Sequence, residues 1–279
     1  MMAFKASKKR ERRAPLPVGR GKPIIPSAGI EAWYRKQMKD MSKLMIADYR
    51  SEIENALSQP AAERFFASDE SVNVLFKMTL RSLQQRWSRI FEGFAAKIAP
   101  EFVNRTEEAA TAATLHSLSV AGVDQPRAAY NESVRNTLEA ATTYNHTLIT
   151  RIQEEVHEKI YTSVMLSLTS PNPEEQGTSG ITNALRKVGK FSEDRIELIA
   201  RDQTSKLYSS LSDERMAENG VEEFEWMHSS AGKTPRHTHL EKDGKRFKLN
   251  DPRLWEGPKA DQGPPGWAIN CRCRKIPII

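Results

Sequence analysis

The sequence predicts a mainly α protein: a bundle or set of hairpins of long helices, followed by a small C-terminal α+β domain. Three observations carry this prediction. Apolar residues recur at steps of three and four between residues 30 and 168. A Pro-, Gly- and Ser-rich break follows at residues 170–180. Beyond Gly220 the helical period gives way to alternation, and residues 221–279 hold three of the five tryptophans. At 279 residues, the chain is long enough for one large or two modest domains.

Residues 1–28 read as a flexible basic arm. They are poor in apolar side chains and broken by Pro15, Pro17, Gly19, Gly21, Pro23 and Pro26, so they bury too little surface to offset the entropy of ordering. The first 22 residues hold eight cations and one carboxylate, while the chain as a whole is +6, so the remaining 257 residues sum to −1. The basic character therefore belongs to the arm. Lys5, Lys8, Lys9, Arg10, Arg12 and Arg13 are its candidate nucleic-acid contacts. Point charges without interleaved aromatics suit phosphates and carry little sequence preference.

Residues 29–170 read as a helical docking domain. Ile30, Trp33, Tyr34, Met38, Met41, Leu44, Met45, Tyr49, Ile53, Ala56 and Leu57 form an amphipathic stripe that stops before Pro60. Phe76, Leu80, Leu83, Trp87, Ile90, Phe91, Phe94 and Ile98 form a second, near-heptad stripe, with Pro100 expected to break it. A weaker Ala- and Thr-rich segment covers 101–121, and Gly122 with Pro126 marks a turn. Arg127 to Leu168 is expected as one long helix, with Tyr130, Val134, Leu138, Leu148, Ile152, Val156, Ile160 and Val164 on one face. His116, His146 and His157 stand isolated in this half and read as surface or satisfied helix histidines, because a metal or proton relay needs partners at helical spacing.

The C-terminal domain is placed at residues 181–279. A short helix is expected over Ile181 to Val188, then a second one opening at Ser192 as N-cap with Glu193 and Asp194 in its first turn. Asn219-Gly220 is its C-cap signal. Phe224 and Trp226 alternate with charged residues as in a half-buried strand, and Asp243-Gly244 signals a hairpin between His239-Leu240 and Arg246–Leu249.

Composition excludes several classes. No apolar run approaches the roughly 20 residues that span a bilayer. The prolines and glycines after the basic start stand where a signal peptide needs its apolar segment. Two cysteines one residue apart, Cys271 and Cys273, close almost no loop, which fits a reducing compartment.

The densest polar cluster joins Arg236-His237-Thr238-His239 with Asn270-Cys271-Arg272-Cys273-Arg274. Residues two apart in a strand share a face, so His237 with His239 and Cys271 with Cys273 would each offer two ligands to one side, together a zinc set. The competing reading is a pair of partly buried thiols in a closing strand, with no metal. Arg201, Arg236 and His239, with His228 as a further candidate, form a possible acid–base set on nucleic-acid phosphate.

The order Ile199-Ala200-Arg201-Asp202-Gln203, Asn219-Gly220, Phe224-Glu225-Trp226, Lys233-Thr234-Pro235-Arg236-His237-Thr238-His239, Gly244, Pro264-Pro265-Gly266 and Asn270-Cys271-Arg272-Cys273 resembles the Mu F-like phage head morphogenesis (minor head protein) family. Asp202-Gln203 departs from the Glu that often follows Ala-Arg-Thr in that family, which removes a carboxylate at Gln203. The resemblance implies a low-copy virion component inside a tailed-phage head near the portal vertex, present in the host cytoplasm during assembly. It implies a portal protein as partner and major capsid or scaffold protein as further partners, with DNA contacted through the arm.

On this reading the chain is not an enzyme, has no cofactor and does not meet a membrane. Arg201, Gln203, Trp226, Arg236, His239, Gly244, Cys271 and Cys273 are then elements of the fold. The alternatives are a nuclease-like or zinc-dependent C-terminal domain and a plain nucleic-acid binder working through the arm.

Overall fold

A computed structural model of the chain describes residues 19–58, 69–172, 177–230 and 234–279. Four long helices come first: α1 (Ala28–Ser58), α2 (Asp69–Ala121), α3 (Glu132–Thr169) and α4 (Gly177–Glu218). A small mixed region follows, with β1 (Glu223–Met227), the short helix α5 (His237–Glu241), β2 (Arg246–Lys248), two 3-10 turns (Pro252–Trp255 and Lys259–Asp261) and β3 (Arg274–Ile278). The protein is mainly α with a small C-terminal α+β region, as its periodicities predict.

The helices are held in register by polar contacts inside an apolar stack. Tyr34 of α1 stacks on Phe102 of α2 with ring centroids 4.0 Å apart, and its hydroxyl donates to Asn145 Oδ1 of α3 at 3.0 Å. Farther along α1, Tyr49 donates to His157 Nδ1 at 2.8 Å. Asp48 meets Arg86 and the Trp87 indole, each at 2.6 Å. Burial lowers the His157 pKa, which keeps the imidazole neutral and able to accept. His157 is thus a satisfied helix histidine. His116 and His146 likewise meet single partners, Lys22 and Glu92.

Three local expectations are corrected. Pro100 does not end a helix, and the stripes before and after it belong to one 53-residue α2. Its neighbours Ile98, Ala99, Phe102 and Val103 are all buried, so packing outweighs the roughly 3 kcal/mol that proline costs in a helix interior. Nor does a new helix open at Ser192: α4 is continuous from Gly177, and Ser192 lies buried within it, 2.5 Å from the hydroxyl of Ser42 on α1. The third long helix starts at Glu132 rather than Arg127, because Asn131 caps it by accepting from the Val134 N–H at 2.9 Å.

α4 packs against α1, α2 and α3 and then delivers the chain to the sheet. Its end matches the Asn219-Gly220 signal. Gly220 has φ +69, and its N–H donates to Ala217 O while the Val221 N–H donates to Met216 O, a Schellman closure.

The sheet order is β2-β1-β3, all antiparallel, with Phe224 opposite Phe247 on one side and Pro277 on the other. The free edge of β3 is covered by residues 19–24. Gly21 N–H donates to Pro277 O and Ile24 N–H to Lys275 O, each at 2.9 Å, and Ile279 N–H returns to Gly19 O at 2.8 Å. This corrects the extent of the arm, because its last residues form an edge segment with Ile24 buried. Lys5, Lys8, Lys9, Arg10, Arg12 and Arg13 lie outside the described residues.

Candidate functional site

The C-terminal cluster is assembled from three pieces of chain. α5 supplies His239, the turn Lys259–Asp261 supplies Asp261, and the extended stretch before β3 supplies Cys271 and Cys273. The expected hairpin strand at 237–240 is instead this helix. The correction has a chemical consequence: residues two apart on a helix point about 200° apart rather than to one side. His239 is buried and His237 exposed, so the structure removes His237 from the cluster. Cys271 and Cys273, on non-helical backbone, do converge.

The His239 Nδ1 lies 3.6 Å from the Cys271 sulfur and 3.6 Å from the Cys273 sulfur. The three ligand atoms all fall within 4.8 Å of one another, and all three residues are buried. On the other side of the ring, Nε2 donates to the Asp261 carbonyl oxygen at 3.0 Å. Asp261 also accepts from Thr238 Oγ1 at 2.8 Å and pairs with Arg236 Nε at 2.7 Å. It therefore holds both ends of the α5 entry. Sequence reasoning missed Asp261, which sits in a Pro/Gly-rich loop and matches no spacing motif.

The remaining motif residues surround this centre. Trp226 is fully buried, with its ring edge-on to His239 at 5.1 Å. Gly244, at φ +72, donates its N–H to the Trp226 carbonyl at 2.8 Å. Gly266 donates its N–H to the Cys271 sulfur at 3.4 Å. Gly266 has φ +88, and a Cβ there would lie 3.0 Å from the Ser205 carbonyl oxygen, which explains the glycine of Pro264-Pro265-Gly266. Gln203 is buried on α4 beside Asp202, which pairs with Lys206 at 2.7 Å.

The two sulfurs titrate as a pair. The Cys273 thiol, the His239 ring and the Gly266 N–H pull Cys271 down to about 4 against the opposing effect of burial. Cys273 is pushed up by its Cys271 neighbour and by burial. Burial opposes a charged His239, but the Cys271 sulfur and the Asp261 carbonyl outweigh it and raise the imidazole above 6.5. The nitrogen and the two sulfurs are also donors that suit a borderline-soft metal.

Arg201, Arg236 and His239 line one cleft of ≈ 620 Å³ with His228 and both cysteines. Each is engaged by neighbouring protein groups. Both His239 ring nitrogens are engaged, Arg236 clamps Asp261 and the Ile269 carbonyl, and Arg201 spans Glu197 and Asn270.

Residues 174–276 match the model of a family described as Phage Mu protein F like protein. An uncharacterised protein of Haemophilus influenzae is 29% identical over 261 residues, covering 92% of this chain and 55% of the relative, so the chain spans about half of that protein's length. No solved structure matches the chain.

Proposed function

We propose, from the match of residues 174–276 to the Phage Mu protein F like family, that this chain is a minor head protein of a tailed phage that associates with the portal during procapsid assembly. The family is one of phage head morphogenesis, and its match carries the reading. The fold supports it physically. Long rigid helices offer extended faces for docking on an oligomeric ring, and no described helix is long and apolar enough to cross a membrane. Copies of the chain then reside in the virion head near the portal vertex, with major capsid or scaffold protein as neighbours.

Co-purification of the full-length chain with its phage's portal protein tests this, alongside detection of the chain in purified particles. Association with portal rings and low-copy presence in heads is the expected result. Absence from both overturns the reading. A truncation at Ser170 is a poor test, because it strips α4 from the other three helices and bares their core.

The basic residues Lys5 to Arg13 are proposed to contact packaged DNA. A chain starting at Gly19 keeps the edge segment on β3, so it isolates their contribution. It is expected to lose most DNA affinity and most of the salt dependence; unchanged binding refutes the contact.

A further inference from the structure

We propose that His239, Cys271 and Cys273 form a zinc site in which His239 Nδ1 and the two sulfurs are three ligands and a water supplies the fourth. The geometry is that of a coordination polyhedron. With Zn–S about 2.3 Å and Zn–N about 2.05 Å at tetrahedral angles, the N···S edge is about 3.6 Å. Both observed N···S separations are 3.6 Å.

The surroundings match a metal centre on three counts. The His239 Nε2 donates to the Asp261 carbonyl, which fixes the tautomer that leaves Nδ1 to the metal. Cys271 receives the Gly266 N–H, an interaction that stabilises a metal-bound thiolate. The Trp226 indole Nε1 is buried with no hydrogen-bond partner among the described residues, and its ring stands edge-on to His239 at 5.1 Å. A tightly packed core has little reason to bury an N–H that no acceptor completes, and a zinc-bound thiolate is an acceptor of the right kind.

The site differs from the set that residue spacing suggests, since His237 is exposed and outside it. All three ligand residues line the cleft, so the fourth corner faces solvent rather than protein. The metal would tie α5 to the strand that closes the sheet. These two elements lie about 30 residues apart in a small unit with three short strands among its described residues, where a metal bond adds to what the core supplies.

The test uses the full-length chain, purified under reducing conditions, loaded with Zn²⁺ and dialysed, with metal measured by mass spectrometry. Wild type and His237→Ala are expected to hold one zinc per chain. Cys271→Ser/Cys273→Ser is expected to lose at least about tenfold of it. Should that variant not fold, wild type decides alone: Co²⁺ must give a thiolate-to-cobalt charge-transfer band with tetrahedral d–d intensity, and Zn²⁺ must protect both thiols from alkylation. Absence of the cobalt band and of protection overturns the site. Loss of zinc in a folded His237→Ala overturns the three-ligand assignment.

Discussion

Lys275 of β3 donates from Nζ to Asp213 Oδ1 of α4 at 2.5 Å and to the Ser209 carbonyl at 3.0 Å, so the sheet is fastened to the last long helix by an ion pair whose lysine is 2% exposed. Burial lowers the Lys275 pKa in spite of its carboxylate partner, which shows how much the ammonium depends on that partner. Asp213→Asn is expected to destabilise the chain by about 3 kcal/mol, because it leaves a buried cation without its counter-charge. Lys275→Met combined with Asp213→Leu is expected to recover most of the loss. Urea denaturation of the three chains checks both, and equal stability of Asp213→Asn and wild type would refute the first.

Arg215 performs the same task between helices. Its guanidinium, also 2% exposed, reaches Glu107 of α2 at 2.8 Å, Glu218 at 3.0 Å, Thr111 Oγ1 at 3.0 Å and the Ala129 carbonyl at 2.5 Å. A lysine offers one point charge where a planar fork meets four acceptors. Arg215→Lys is therefore expected to cost about 2–3 kcal/mol and Arg215→Ala about 3–5 kcal/mol. Thermal melts of both variants, read beside Lys36→Ala on an exposed pair, supply the measurement; a Lys variant as stable as wild type would contradict it.

Gly21 is required by close approach rather than by turn geometry. A Cβ there would meet Ser117 Oγ at 2.5 Å, the Ser117 carbonyl at 2.8 Å and Pro277 Cδ at 3.2 Å. Gly21→Ala is expected to cost about 1–3 kcal/mol by forcing residues 19–24 away from β3 and α2. Hydrogen exchange at the Gly21 and Ile24 amides should rise in the variant while amides in α3 stay protected. Unchanged protection at Ile24 would show that the segment is not held as described.

Arg20 and Glu225 give the edge segment a pH dependence. The two join through a bidentate contact at 2.7 and 3.0 Å, and the Arg20 hydrogen bond holds the Glu225 carboxyl below its ordinary 4.5. Because the folded pKa is the lower one, the stabilisation is fully present above pH 4.5 and fades as pH falls through the folded value. The pair is partly exposed, so its worth is about 1 kcal/mol or less. Melting wild type and Glu225→Gln across the acid range should show a gap at neutral pH that closes on acidification. A gap that widens would reverse the sign.

The periodicity of the chain was sufficient for its class, because period 3.6 and period 2 are local properties that survive without knowledge of partners. Phe224 and Trp226 announced β1, Asn219-Gly220 announced the end of α4, and Cys271 with Cys273 announced a pair on one side. Local signals misled where packing overrides them. Pro100 sits inside α2 because buried neighbours on both sides outweigh its cost, and Ser192 resembles a cap but serves as a buried hydroxyl facing Ser42.

What only the tertiary structure decided is which distant groups meet. His239 rather than His237 joins the cysteines because residues 237–241 take a helical turn, and a helix sends alternate residues in opposite directions where a strand would align them. Asp261 acquires its role at His239 across 22 residues of chain, and Arg20 finds Glu225 across 205. Sequence spacing encodes neither relationship, since loop closure over such lengths is set by the packing of the whole core.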